Sequence, residues 1–447
     1  MKPIARISLT ILLLFCVITV GFTNGDKPKP KDLKKINHVI VLFLENHSFD
    51  NLYGQFPGAN GLSNAKNVTQ VDSAGVPFTF LPPVPGSTAF PTNLPNNYFN
   101  IDQFVPADMK IPDLVHRYYQ EQAQIDGGKM DRYADICDSK GLTMGYYNTD
   151  QLLLSVEAKN YVLCDNMFHS VFGGSFLNHF WLVAAACPVW HNAPEADVAQ
   201  FDASGKLTRD GYVTPDGYVM NTCYTVNTPH PAENVRRPKD LIPSQTLPNI
   251  GDRMSDKKIS WAWYSGGWND AIAGHADKSF QYHHQPFAYF ANYAENTRGR
   301  AAHLKDETDF IAAAKAGTLP AVSFVKPIGI ENEHPGYADV VTGEKHVESL
   351  IETIRNGPNW KDCVIIVTYD ENGGFWDHVS PPVIDKKWGP GTRIPGIIIS
   401  PFAKKGFIDH TQYETLSILS LIEKRWKVKS LNFRDHKANY FLNSLQF

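Results

Sequence analysis

The 447-residue sequence predicts an α/β protein, a three-layer α/β/α sandwich around a largely parallel sheet with a loop-rich cap. Three observations carry this. Apolar, β-branched runs near His38, Tyr161, Ile259, Ala321, Val364 and Ile394 alternate with stretches of helical spacing, the order of βαβ units. The runs over 38–44 and 363–367 are almost continuously apolar, as strands buried on both faces of a parallel sheet are. Both then break abruptly into carboxylates and amides, Glu45-Asn46 and Asp370-Glu371-Asn372, at the strand ends where open α/β sheets place their ligands. No internal repeat or low-complexity tract competes with this reading.

Residues 1–25 have the form of a secretory signal peptide, with Lys2 and Arg6 before an apolar run over 7–22 and cleavage near Gly25. The run is short for a bilayer span and no second one of spanning length follows, so no stable membrane anchor is expected. Phe15 before Cys16 argues against a lipoprotein cleavage site. The expected destination is secreted or periplasmic. Cleavage removes two basic residues and no acidic one, moving the formal charge from −4 to −6, which excludes recruitment of nucleic acid by bulk charge. Cys137, Cys164, Cys187, Cys223 and Cys363 remain; an oxidising compartment allows one or two disulfides with one thiol left over, and the pairing is not legible. Cys363, opening a buried strand, is expected to stay a packed thiol.

The remainder, 26–447, is expected to form one catalytic domain. Residues 26–35 are a Lys/Pro-rich leader expected to be extended and exposed. After the strand over 38–44 and its polar turn, residues 57–100 are crowded with Pro, Gly, Asn and Ser, within a first cap insertion at about 55–110. Asn67-Val68-Thr69 and Asn46-His47-Ser48 are glycosylation sequons, but a sugar at Asn46 would block the proposed site. A helix is expected over 111–133, carrying His116 and ending at Gly127-Gly128; by itself His116 fits a surface or core-edge position.

Gly173-Gly174-Ser175 precedes an apolar helical run, so Ser175 falls near a helix N-terminus. There it suits an N-cap, and equally a hydroxyl facing phosphate in the field of the backbone amides. A polar, Pro-rich second cap insertion follows at about 189–250, with Arg236-Arg237-Pro238 near its end. Strands over 259–264 and 321–325 lead to Gly266-Gly267 and to the polar loop Glu331-Asn332-Glu333-His334. His283 and His284, on a segment expected to be extended, would point to opposite sides, leaving one to face the site. An amphipathic helix over 347–354, a strand over 393–401 and a helix over 410–426 complete the chain.

Glu45, Asn46, Asp370 and Glu371 can meet only if their strands are near neighbours in one sheet. Adjacent buried carboxylates repel unless a cation or proton compensates, so the four predict an oxygen-rich cage for a divalent metal ion. An acidic turn is the bland alternative for Asp370-Glu371 alone; the second strand of the same design decides against it. Asp377 and His378 follow closely, either as groups that orient the acids or as a turn residue and a packing histidine.

The motifs Glu45-Asn46-His47-Ser48-Phe49-Asp50 and 368–379 (Thr-Tyr-Asp-Glu-Asn-Gly-Gly-Phe-Trp-Asp-His-Val) resemble those of the bacterial phosphoesterase family of secreted phospholipases C and acid phosphatases, in the alkaline phosphatase superfamily. The resemblance spans nearly the whole mature chain. It implies an alkaline phosphatase-like core, Ser175 as nucleophile, and one ion (Ca, Mg, Mn or Zn) held by Glu45, Asn46, Asp370 and Glu371. It implies His116 and His334 as catalytic groups near the leaving group, and His283, His284, Asn178 and His179 as phosphate or substrate contacts. The family's longer phospholipases carry further C-terminal domains, so this chain is expected to be a broad acid phosphatase acting on phosphorylated small molecules. The alternatives are a phospholipase C acting on phospholipid headgroups, with Trp261, Trp263, Trp268 and Trp376 as a choline cage, or a non-catalytic surface-binding protein on the same scaffold.

Overall fold

The computed structural model describes residues 29–66, 68–231 and 240–447; the expected signal peptide (residues 1–25), Asn67 and Arg236-Arg237-Pro238 lie outside the described residues. Eight strands make the central sheet: β1 (His38–Leu44), β2 (Val162–Cys164), β3 (Trp261–Ser265), β4 (Leu304–Asp306), β5 (Val322–Lys326), β6 (Cys363–Tyr369), β7 (Gly396–Ile399) and β8 (Phe407–Asp409). Their spatial order is β4-β3-β5-β1-β6-β7-β2-β8. All neighbours are parallel except β7, which runs against both β6 and β2. The exception has a local cause. The connection over 370–395 contains no helix to carry the chain back across the sheet, so the next strand starts at the edge where β6 ended.

The main helices are α1 (Tyr118–Ile125), α2 (Leu153–Asn160), α3 (Ser175–Ala184), α4 (Glu307–Ala316), α5 (Val340–Arg355) and α6 (Leu416–Trp426). Helices α2, α5 and α4 pack side by side as one layer, while α3 packs against α6 and against the short helix Ile250–Asp256 as the other. This is the three-layer α/β/α sandwich. Helix α5 buries Val347, Leu350, Ile351 and Ile354 at helical spacing; truncating one of them to Ala would cost ~2–5 kcal/mol. Every residue of α3 is buried, because it carries apolar groups on one side and site residues on the other.

Several expected elements shift. Residues 111–117 are not helical, and α1 begins only at Tyr118. Partners outside the segment take its backbone groups: Asp138 accepts the Val115 amide, the Ser139 hydroxyl bonds the Asp113 carbonyl, and the Gly336 amide bonds the Ile111 carbonyl. In the leader, Pro30–Lys35 is a 3-10 turn with Leu33 buried, packed on α6 instead of extended. The C-terminal helix starts at Leu416, after β8 and the short pairing of Tyr413 with Met167. All five described cysteines are buried free thiols, so no disulfide forms among the described residues.

Candidate active site

Strands β1 and β6 lie side by side in register, Leu44 opposite Tyr369, and the Asp370 amide bonds the Leu44 carbonyl at 3.1 Å. Glu45 and Asp370 therefore leave the sheet together. Glu45, Asn46, Asp370 and Glu371 are fully buried at this edge. Gly373, at φ 61°, packs on the Asn46 backbone so closely that any Cβ would collide with the Asn46 carbonyl. Here the glycine serves the approach of one motif to the other.

Ser175 is the first residue of α3 and Gly174 is the N-cap. The serine side chain turns instead towards the cage, its Oγ 3.0 Å from Glu45 Oε2, 3.3 Å from Asn46 Oδ1 and 3.5 Å from Glu371 Oε1. One hydroxyl hydrogen cannot satisfy three acceptors. Asp370 Oδ2, buried beside them, finds no hydrogen-bond donor. Burial, and then the charge of Glu45, pushes the Asp370 carboxyl well above the usual carboxylate range; burial and Asp370 do the same to Glu371. Burial also opposes ionisation of Glu45, but Lys326 and His284 outweigh it and hold that carboxyl well below its usual value. A buried cluster of three carboxyls that oppose one another's ionisation, with an orphaned oxygen, fits a divalent cation. Glu45, His179 and His284 additionally present ligand atoms within 4.8 Å of one another, so imidazole nitrogens are at hand too.

Histidines ring the cage. His116 Nδ1 lies 2.5 Å from the Leu114 carbonyl and His334 Nδ1 2.5 Å from the Pro335 carbonyl. A carbonyl only accepts, so each Nδ1 carries a hydrogen and each Nε2 is presented to the site. His116 Nε2 stands 3.8 Å from Glu371 Oε1, and His334 Nε2 3.9 Å from Glu45 Oε2. His283 and His284 sit on the 3-10 turn Tyr282–His284, not on an extended segment, and the tighter turn brings both to the site. His283 lines the cavity beside Ser175, its Nδ1 without a partner, while His284 Nε2 reaches Glu45 Oε1 at 2.7 Å. Burial keeps His179, His283 and His334 below the usual imidazole value and lowers His284 to about 4.

Asn178 Nδ2 donates to the Gly173 and Gly174 carbonyls at 2.9 and 3.2 Å, and His179 Nδ1 donates to the Ser175 carbonyl at 2.7 Å. Both brace the turn at Ser175 from within α3. Asp377 and His378 make no hydrogen bond or ion pair to Glu45, Asn46, Asp370 or Glu371. Asp377 bonds the Asp50 amide and Arg393, and His378 bonds Asp50. They join the turn after β1 to the loop after β6.

Sequence reasoning missed Lys326, the last residue of β5, fully buried with Nζ 2.5 Å from Glu45 Oε1. The signal was a lone lysine closing an apolar strand. It also missed Glu121, which clamps the Gly173 amide at 2.6 Å. The tryptophan cage does not form: Trp261 stacks on His303, Trp263 on Phe324, Trp268 lies under Arg300, and Trp376 donates to the Met130 carbonyl. None of them lines the cavity of about 400 Å³ above Ser175, which extends to Asp113, Arg117, Asn221, Thr222 and Gln281. A larger cleft of about 960 Å³, beside Trp376 and His378, contains none of the proposed catalytic, phosphate or metal residues.

The chain is similar to several known proteins. The chain is 24% identical over 437 residues to phospholipase C A of Mycobacterium tuberculosis (strain ATCC 25618 / H37Rv), covering 90% of this chain and 75% of that protein. It is 25% identical over 491 residues to non-specific phospholipase C1 of Arabidopsis thaliana, covering 97% and 76%. A solved structure of an alkaline phosphatase superfamily protein from Vibrio parahaemolyticus aligns with a TM-score of 0.35 at 8% identity, over 75% of this chain and 73% of that one. Residues 36–429 match the model of the Phosphoesterase family. The chain belongs to that family and is a hydrolase acting on phosphoric ester bonds.

Proposed function

We propose that the chain hydrolyses phosphate esters through a covalent phosphoseryl intermediate at Ser175. The observation that carries this is the position of Ser175 Oγ, at a helix start and within 3.5 Å of Glu45, Asn46 and Glu371. A divalent ion (Ca, Mg, Mn or Zn) held by Glu45, Asn46, Asp370 and Glu371 would supply charge neutralisation and lower the pKa of the serine hydroxyl. Glu45 Oε2, at 3.0 Å the shortest acceptor for the Ser175 hydroxyl, is placed to take its hydrogen. Serine oxygen forms the new bond to phosphorus as the bond to the ester oxygen breaks. One of His116 and His334, doubly protonated so that its cavity-facing Nε2 also carries a hydrogen, is placed to give that oxygen its proton, and the neutral ring that results is placed to take one from the water that releases phosphate. His283 is placed to contact a non-bridging phosphate oxygen. His284, Asn178 and His179 act on Glu45 and on the nucleophile turn.

The preferred substrates are water-soluble phosphomonoesters, the acid phosphatase reading. In support, Asp113, Arg117, Asn221, Thr222 and Gln281 offer polar groups around the cavity, alongside the apolar Leu114, Val115, Phe176 and Met220, and none of the large apolar side chains exposed among the described residues lines it. A phospholipase C reading is favoured by the relatives' names and by the cavity's size, about a dozen water volumes, which leaves room for a second ester substituent. Among the described residues no helix is long and apolar enough to cross a membrane; secretion or periplasmic export rests on the leader sequence. The test is rapid quench with labelled substrate and peptide mapping. Label on the Ser175 peptide is expected, and label on a histidine would overturn the assignment. Parallel rates on p-nitrophenyl phosphate and p-nitrophenyl phosphorylcholine separate the two substrate readings.

A further inference from the structure

We infer that Lys326 and His284 are positioning residues that sort the two oxygens of Glu45, holding Oε1 back and presenting Oε2 alone to Ser175 and the ion. The inference rests on the phosphoserine reading above and extends it to residues that need not touch substrate.

The geometry is one-sided. Lys326 Nζ is 2.5 Å from Oε1, donates to the Leu44 carbonyl at 3.1 Å and lies 5.0 Å over the Phe43 ring. His284 Nε2 is 2.7 Å from the same Oε1. On the other oxygen, Oε2, sits the Ser175 hydroxyl at 3.0 Å. The arrangement is built into the sheet: β5 pairs with β1, Val325 opposite Leu42, so Lys326 emerges beside Phe43 and reaches the residue that follows β1. The Lys326 side chain is fully buried and does not line the cavity. His284 in turn stacks on His179, ring centroids 5.1 Å apart and nearly parallel, and His179 bonds the Ser175 carbonyl. Glu45 and the nucleophile turn are thereby braced against one another.

Electrostatics calls for the same group. Three ionised carboxylates around one divalent ion leave a net negative charge, which would repel an incoming phosphate ester. A fixed ammonium on the far oxygen of Glu45 removes that excess without occupying a phosphate position. It also prevents Glu45 from turning both oxygens inward, where the second would compete with Ser175.

The test uses the full mature protein, with Lys326→Met and His284→Gln as independent variants. Divalent metal content is read by elemental analysis after dialysis, phosphoserine formation by rapid quench, and KM on p-nitrophenyl phosphate. Expected are retained metal content in both variants, phosphoserine formation at saturating substrate slowed by about 10²-fold in Lys326→Met, the scale of a misplaced reacting group, with a smaller loss in His284→Gln, and a KM that rises in Lys326→Met, which loses the ammonium charge, but stays within about threefold of wild type in His284→Gln. A folded variant that keeps its metal and forms phosphoserine within threefold of the wild-type rate overturns the inference. So does loss of the metal from both variants, which would make these residues part of the cage itself. Should Lys326→Met not fold, His284→Gln decides by the same criteria. A wild-type protein that forms no phosphoserine at Ser175 sinks the functional reading itself, a different failure from wild type and variants forming it equally fast.

Discussion

The Glu121 carboxylate accepts the backbone amide of Gly173 at 2.6 Å, two residues ahead of Ser175. Its other oxygen takes His169 Nε2 at 2.8 Å and the amide and hydroxyl of Thr392 at 3.0 and 2.9 Å. Gly173 has φ 93° and packs on the Tyr118 backbone, so the turn tolerates no side chain there. Burial opposes the charge on Glu121, but His169 and these donors outweigh it and depress its pKa. Glu121→Ala should cost ~3–5 kcal/mol, because it strands buried donors. A carboxyl depressed on folding stabilises above its unfolded pKa and loses that contribution as pH falls through the folded value. The gap in urea midpoint between wild type and Glu121→Ala should therefore narrow in acid; a gap independent of pH would count against this account.

Ser175→Ala should separate chemistry from stability. Gly174 is the helix cap, so no capping bond is lost, and the hydroxyl's own hydrogen bonding is worth about 1 kcal/mol. Turnover should fall by several orders of magnitude, since no second nucleophile stands in its place. Substantial residual activity in a variant of normal melting temperature would remove Ser175 from the reaction.

Chelation should abolish turnover and lower the melting temperature together. Without a cation, burial and mutual repulsion leave Asp370 and Glu371 costly to ionise, and an ion bound only by the folded state stabilises it by mass action. Adding back a divalent metal should restore both. Full activity in protein shown by elemental analysis to be metal-free would exclude the cage from catalysis.

Glu344, on α5, accepts the Leu154 amide at 3.2 Å, and burial raises its pKa to about 8. The folded protein keeps this proton up to about pH 8, whereas the unfolded chain releases it near 4.5. Stability should therefore fall as pH rises through that window. Glu344→Gln keeps a neutral acceptor for Leu154 and removes the titration. Its urea midpoint should change less than that of wild type between pH 6 and pH 8.5. An unchanged slope would show that another group controls this range.

Arg393 is fully buried and ties the two motifs: Nε donates to Asp377 at 2.8 Å, Nη2 to Asp50 at 3.1 Å, and Nη1 to the Asp165 carbonyl at 2.7 Å. Asp377→Ala should cost ~3–5 kcal/mol by leaving a buried guanidinium underpaired. Since Asp377 makes no hydrogen bond or ion pair to Glu45, Asn46, Asp370 or Glu371, the folded variant should keep its metal content. Loss of metal at unchanged stability would instead make Asp377 a support of the cage.

By itself, the sequence determined the strands and the meeting of the two acidic motifs. Apolar β-branched runs such as Cys363–Tyr369 have to be buried on both faces whatever surrounds them. Two such strands ending in oxygen ligands become one site once they are paired in parallel. Tertiary structure decided what surrounds that site. Residues 111–117 have helical spacing, yet the Asp138 carboxylate and the Ser139 hydroxyl, from outside the segment, take the Val115 amide and the Asp113 carbonyl and leave His116 outside any helix. His283 and His284 both reach the site because a 3-10 turn replaces the expected extended chain. Lys326 and Glu45 are 281 positions apart, and neither has a sequence neighbour that announces the other. Strand character is written in short-range periodicity, whereas a buried charge is stabilised by whichever partner the folded chain brings within hydrogen-bond distance, and that distance exists only after the sheet has formed.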